Sequence, residues 1–161
     1  MSLEQIDVLL RIKRARERRA IATAARARVA VNRAEAACQQ ADRAVADYAV
    51  RRPAQEAEIY ALLRTGPLPS RAIQTAAARL TGLAAYGSVL KQQAQRAGMD
   101  HEKAVGIAQE AGRTQTKQSR DVAAADELRG RQTVAAGRDA ELAEERLLEA
   151  LTLPTGRRPG A

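Results

Sequence analysis

The chain has 161 residues, enough for one ordinary domain, and 45% of them are hydrophobic, but much of that fraction is alanine. Leu, Ile and Val number 30 (15, 6 and 9) and Phe is absent, so too little large apolar area exists for a thick, multi-layer core. The net charge of +8 and a pI near 10.5 point to acidic partners: nucleic acid, anionic lipid or an acidic protein surface.

Other classes fall away on simple grounds. The single cysteine, Cys38, excludes an internal disulfide and a cysteine-based zinc cluster. No apolar run approaches the ~20 residues that a membrane span needs. The basic residues follow the short apolar stretch 6–12 rather than precede it, which is not the layout of a signal peptide. The expected location is therefore cytoplasmic.

Ala, Leu, Arg, Glu, Gln and Lys dominate, and these residues lose little side-chain entropy in a helix. Ser2 followed by Gln5 matches a capping box, so a helix can begin at once. From Leu3 a 3-4 repeat runs through Ile6, Leu10, Lys13, Glu17, Ala20, Ala24 and Ala27. It continues through Val31, Ala34, Cys38, Ala41, Val45, Tyr48, Arg52, Gln55, Ile59 and Leu62. Such a repeat sustained over many heptads predicts a coiled-coil seam with a left-handed supercoil. Pro53 lacks the N–H that an interior helical position needs, which predicts a kink near residues 49–53.

Thr65, Gly66, Pro67, Leu68 and Pro69 form the one clear internal break. Ser70 can cap a short helical segment through Leu80, with Gly82 and Gly87 loosening the chain after it. The second seam then reads Leu80, Leu83, Gly87, Leu90, Ala94, Ala97, His101, Ala104, Ala108 and Ala111. It weakens at Gln115 and Gln118 and recovers at Val122 and Ala125. Its phase shifts before Leu142, Leu147, Leu148 and Leu151, and Pro154 ends it.

The predicted fold is all-α: a long antiparallel two-helix coiled-coil hairpin with a short helical segment at the bend. Its parts are a helix over 2–63, the bend and short helix over 64–82, and a helix over 83–152. Residues 154–161 form a flexible tail. The alternative is a dimer of extended chains. A short connection favours antiparallel neighbours. With the short segment set apart, facing residue numbers should sum to about 147–150, which places residues 11–19 opposite about 128–139. Residues 2–64 contain no glycine, whereas 82–151 contain seven. Each costs ~1 kcal/mol relative to alanine inside a helix, so the second helix should lean on the first and the fold should melt with low cooperativity.

Little in the chain resembles catalytic machinery. His101 falls on the seam with Val105 at i+4, and reads as a small polar interruption of the core rather than a metal ligand. Cys38 reads as a small seam residue. No glycine-rich phosphate loop is present, and a two-helix rod offers no concave, water-excluding pocket. The expectation is a non-enzymatic protein without cofactor or metal.

Two features point to partners. Arg11, Lys13, Arg14, Arg16, Arg18, Arg19, Arg26, Arg28 and Arg33 are offset only by Glu17, for a local balance of 9 − 1 = +8. This is either a solvated helix face or a docking surface for an acidic partner. No aromatic residue interleaves the arginines and no groove-docking motif accompanies them, which argues against nucleic acid. At the loop end, Leu68, Ile73, Leu80, Leu83 and Leu90, with Leu62 and Leu63, concentrate large apolar side chains. These either close the hairpin as a small core or form a docking knob.

The basic helix over 6–33, the break over 65–69, the segment over 70–80 and the return helix to Leu151 together resemble the stalk proteins of bacterial type III secretion systems, of the YscO and flagellar FliJ types. The resemblance spans the whole chain and is architectural. It implies a likeness to the central shaft of rotary ATPases. It also implies a place at the centre of the secretion ATPase hexamer, a link to the export gate cytoplasmic domain, and the handling of export chaperones. On this sequence it would put residues 11–33 and 141–151 inside the ATPase ring and residues 68–90 toward the gate. The seven glycines and Pro53 depart from a stiff shaft. A basic coiled-coil nucleic-acid-binding protein and a structural coiled-coil adaptor without an ATPase partner remain as alternatives.

Overall fold

The computed structural model describes residues 1–152 and contains two helices, α1 (Leu3–Leu63) and α2 (Ser70–Thr152), which pack against each other as an all-α hairpin. The expected tail, residues 154–161, lies outside the described residues. α1 begins in the predicted capping box. The Ser2 backbone N–H donates to Gln5 Oε1 at 2.9 Å, and the Gln5 N–H donates to Ser2 Oγ at 3.3 Å. The helix stays unbroken through Pro53.

Residues 64–69 make the turn. Gly66 sits at φ 124°, a conformation that a Cβ disfavours. The Thr65 hydroxyl donates to the Leu62 carbonyl at 2.8 Å, satisfying one of the acceptors left open at the end of α1. The Pro69 carbonyl accepts from Ala72 N–H at 2.8 Å and Ile73 N–H at 3.4 Å, so Pro69 rather than Ser70 occupies the capping position of α2. Segment 70–80 is helical, as expected, and continues into the rest of α2 through Gly82 and Gly87 without a break.

Contacts within the chain fall into two compact units. One joins Met1–Ile21 to α2 from Arg113 on, and the other is Ala22–Gly112. In the first, Ile6 is fully buried and packs with Leu10, Ala125 and the partly buried Leu128. In the second, Ala24, Ala27, Tyr48, Ile59, Ala76 and Leu90 are buried.

The predicted seams are largely the observed ones. On α1 every position of the repeat is buried or half-buried except Leu3, Gln55 and Leu62. After Arg52 the inward positions move to Glu56, Ile59 and Leu63. The step from Tyr48 to Arg52 to Glu56 is 4-4, a local departure from the heptad of the kind that unwinds a left-handed supercoil. On α2 every predicted position from Leu80 to Ala125 is buried or half-buried, Gln115 and Gln118 included.

The register differs from expectation. Lys13 faces Asp121, Arg14 faces Asp126, and Tyr48 faces Tyr86, so facing numbers sum to about 134–140 rather than 147–150. The reason is the single helix α2. Both arms rise by the same distance per residue, so the bend alone sets the register. With α2 starting at Ser70, the constant falls to near the sum of the bend's two ends, residues 64 and 69. The acidic residues of 139–149 consequently do not lie beside residues 1–10, and residues 133–152 are exposed throughout.

Candidate interaction surfaces

The basic helix face belongs to α1, and its members differ in their surroundings. Lys13 Nζ lies 3.8 Å from Asp121 Oδ2, and the Arg14 guanidinium donates to Asp126 Oδ1 at 2.9 Å. Glu17, the only acidic residue of the stretch, accepts from the Ser119 hydroxyl at 2.8 Å. Arg129 from α2 donates to Asp7 at 2.6 Å. Pairs this exposed contribute only ~0.2–1 kcal/mol each, so they add little to stability. Arg11 and Arg14 border a hollow of about 330 Å³ with Asp7, Leu10 and Arg129. Arg16, Arg18, Arg19, Arg26, Arg28 and Arg33 all lie at exposed positions.

Beyond Gln132, α2 runs on for five turns with no buried residue. Val134, Leu142, Leu147, Leu148 and Leu151 are all at least half exposed there. Asp139, Glu141, Glu144, Glu145 and Glu149 outweigh Arg138 and Arg146 by 5 − 2, a net −3. The predicted helices, over 2–63 and 83–152, differ little in length and so give no such extension. The signal was nevertheless in the chain: a bend at 64–69 and a helix ending near Pro154 cannot give equal arms.

At the bend, α1 and α2 enclose an open groove of about 520 Å³. Leu68 lines it, together with Ile59, Leu62, Leu63, Ala72 and Ala76, and Arg71 and Arg79 stand at its sides. The other loop-end residues singled out from sequence are placed differently. Ile73 is exposed, Leu80 and Leu83 are half-buried on the seam, and Leu90 is buried. The structure thus splits that apolar cluster into a seam-facing part and a groove.

The same unit holds a polar pin that the heptad pattern did not reveal. The buried Tyr48 donates its hydroxyl to the Leu83 carbonyl at 2.5 Å and meets Tyr86 edge-on at 5.0 Å between ring centroids. One turn on, Arg52 donates to Glu56 at 2.6 Å, and the hydrogen bond and charge of Glu56 hold the Arg52 guanidinium above its ordinary pKa.

His101 and Cys38 are half-buried on the seams, and the Cys38 thiol points to Asp42 Oδ2 at 3.9 Å. Among the described residues no cluster of His, Cys, Asp and Glu could hold a metal ion, and no helix is long and apolar enough to cross a membrane.

The hairpin finds its counterpart among known proteins. The family model for the type III secretion protein YscO matches residues 6–153. The chain belongs to the YscO family. It is a protein of the type III secretion system, from a family of structural components whose partners are proteins of the secretion apparatus. A solved relative, the type III secretion protein YscO from Vibrio parahaemolyticus, shares the fold with a TM-score of 0.86. It is 22% identical, and the match covers 92% of this chain and 93% of that one. No curated protein matches the chain.

Proposed function

We propose that this YscO-family chain is a non-enzymatic stalk that binds the centre of the secretion ATPase hexamer and links it to the export gate. Its place is cytoplasmic, peripheral to the inner membrane apparatus. The observation that carries this reading is the extension of α2 over residues 133–152, whose leucines have no covering partner on α1. A helix of this length with Gly137 inside it is marginal on its own in water, so it needs a protein around it to hold its shape. A ring with a central opening supplies such a surround on all sides at once.

The two charge signs divide the work. Arg11, Lys13, Arg14, Arg16, Arg18, Arg19, Arg26, Arg28 and Arg33 meet acidic residues of the ATPase, while the acidic extension meets basic ones. At the bend, Leu68 and Ile73, with Leu80, Leu83 and Leu90 supporting them from the seam, form the face turned to the export gate cytoplasmic domain. Export chaperones bind along the same exposed helices. The chain carries no catalytic constellation in this reading and acts by position alone.

Reconstitution tests it. The purified chain, added to the secretion ATPase of the same system, is expected to promote hexamer formation and raise ATP turnover. No effect on either at micromolar concentration would sink the reading.

A further inference from the structure

We propose that the groove at the bend is a docking site for an acidic amphipathic helix of a protein partner. The inference rests on the loop-end half of the function proposed above and gives that end its chemistry.

The floor of the groove is apolar. Ile59 and Ala76 are buried, and Leu63, Leu68 and Ala72 are half-buried against it. Leu62 borders the same space yet remains 58% exposed, so an apolar side chain is still uncovered beside a concave apolar surface. The volume, about 520 Å³, is within the range of sites that take up several side chains of a ligand.

Charge identifies the occupant. From Ile59 to Met99 the chain contains no Asp or Glu, while Arg64, Arg71, Arg79, Lys91 and Arg96 give this stretch a charge of +5. Arg71 and Arg79 line the groove itself, and both are exposed. A guanidinium is planar, always charged and suited to bidentate pairing with a carboxylate. The groove therefore offers an apolar floor with cationic sides, and the matching ligand has an apolar stripe edged by Asp or Glu.

Geometry selects a helix. The groove is formed by the last turns of α1 and the first turns of α2, and its floor is made of side chains from both helices. Among the described residues there is no strand, so no sheet edge is available for an added one. An amphipathic helix laid in the groove would cover Leu62 with residues spaced i, i+3, i+4 and i+7. A concave apolar floor suits such a ridge better than it suits a flat lipid surface, which would contact only the protruding residues.

The test uses the full chain and a fluorescently labelled amphipathic peptide with leucines at helical spacing edged by glutamates. A second peptide has every glutamate replaced by lysine. Fluorescence anisotropy is expected to show binding of the acidic peptide and about tenfold or greater weakening for the lysine peptide. The double substitution Arg71→Glu with Arg79→Glu should invert that preference, and Leu62→Ser should weaken both interactions without altering the helical circular dichroism signal. Equal binding of the two peptides, or none below millimolar concentration, overturns the proposal. So does binding of the chain to vesicles of phosphatidylglycerol and phosphatidylcholine that Arg71→Glu with Arg79→Glu abolishes while the acidic peptide fails to bind, since the groove would then serve a lipid surface. ATPase stimulation by the unaltered chain reports on the basic face and residues 133–152, not on the groove, so either idea can fail while the other stands.

Discussion

Tyr48 lies so close over Gly87 that a methyl group on the glycine would come within 3.0 Å of the tyrosine ring at Cε1. The ring cannot retreat freely. It is buried, hydrogen-bonded to Leu83 and set edge-on against Tyr86. Gly87 is thus the notch that receives the largest side chain on the α1 seam.

Gly87→Ala should therefore destabilise the protein, although alanine is the better helix former. The expected loss is about 1–2 kcal/mol, from overpacking and a weakened Tyr48 hydrogen bond. Gly106→Ala is the matched control, since a Cβ there meets nothing within 4 Å. It should stabilise by up to about 1 kcal/mol. Urea unfolding followed by circular dichroism distinguishes them, and two shifts of the same sign would contradict the notch.

Shortening the chain after Gln132 should remove helical signal in proportion to the residues lost and leave the melting temperature nearly unchanged. Nothing from residue 133 to 152 is buried, so its removal forfeits little cohesion. The same truncation should abolish stimulation of the secretion ATPase. A fall in melting temperature of more than about 10 °C would mean that the extension contributes to the hairpin after all.

The stability of the first unit should lie in its few large apolar contacts rather than in its ion pairs. Ile6 is 0% exposed and sits among Leu10, Ala125 and Leu128. Ile6→Ala should cost about 2–4 kcal/mol through lost burial and an unfilled cavity. Asp126→Asn and Arg129→Gln each break a half-exposed pair and should cost no more than about 1 kcal/mol. Chemical denaturation of the three variants gives the ranking directly.

Arg26, Arg28 and Arg33 are exposed on the basic helix face. Reversing all three to glutamate should leave the thermal melt intact and weaken association with the secretion ATPase by about tenfold or more. Duplex DNA is the control ligand. If it binds the unaltered chain tightly, with affinity falling by about one log per log of salt for each neutralised phosphate, the basic face serves nucleic acid instead.

Much of the hairpin was legible in the chain because its signal is local. The capping box needs only Ser2 and Gln5, the break only residues 65–69, and the seam only the 3-4 spacing of small and apolar residues. Each is written within a few turns of the residue concerned. The surfaces were harder to read. The groove depends on which loop-end residues turn inward, and Leu62 and Leu80 have the same residue type but different exposures.

What the sequence by itself determined is the element type and the inward face of each helix, since both follow from periodicity and propensity. Only the tertiary structure decided the register. Gly82 and Gly87 look like places to break a helix, yet α2 passes through both, because the rest of the hairpin supports the backbone and Tyr48 fills the space over Gly87. Keeping α2 continuous brings Asp121 rather than a residue near 135 opposite Lys13. That same continuity carries residues 133–152 past the end of α1. The exposed extension is a consequence of arm lengths counted from one bend, and no local pattern within it records that its partner is missing.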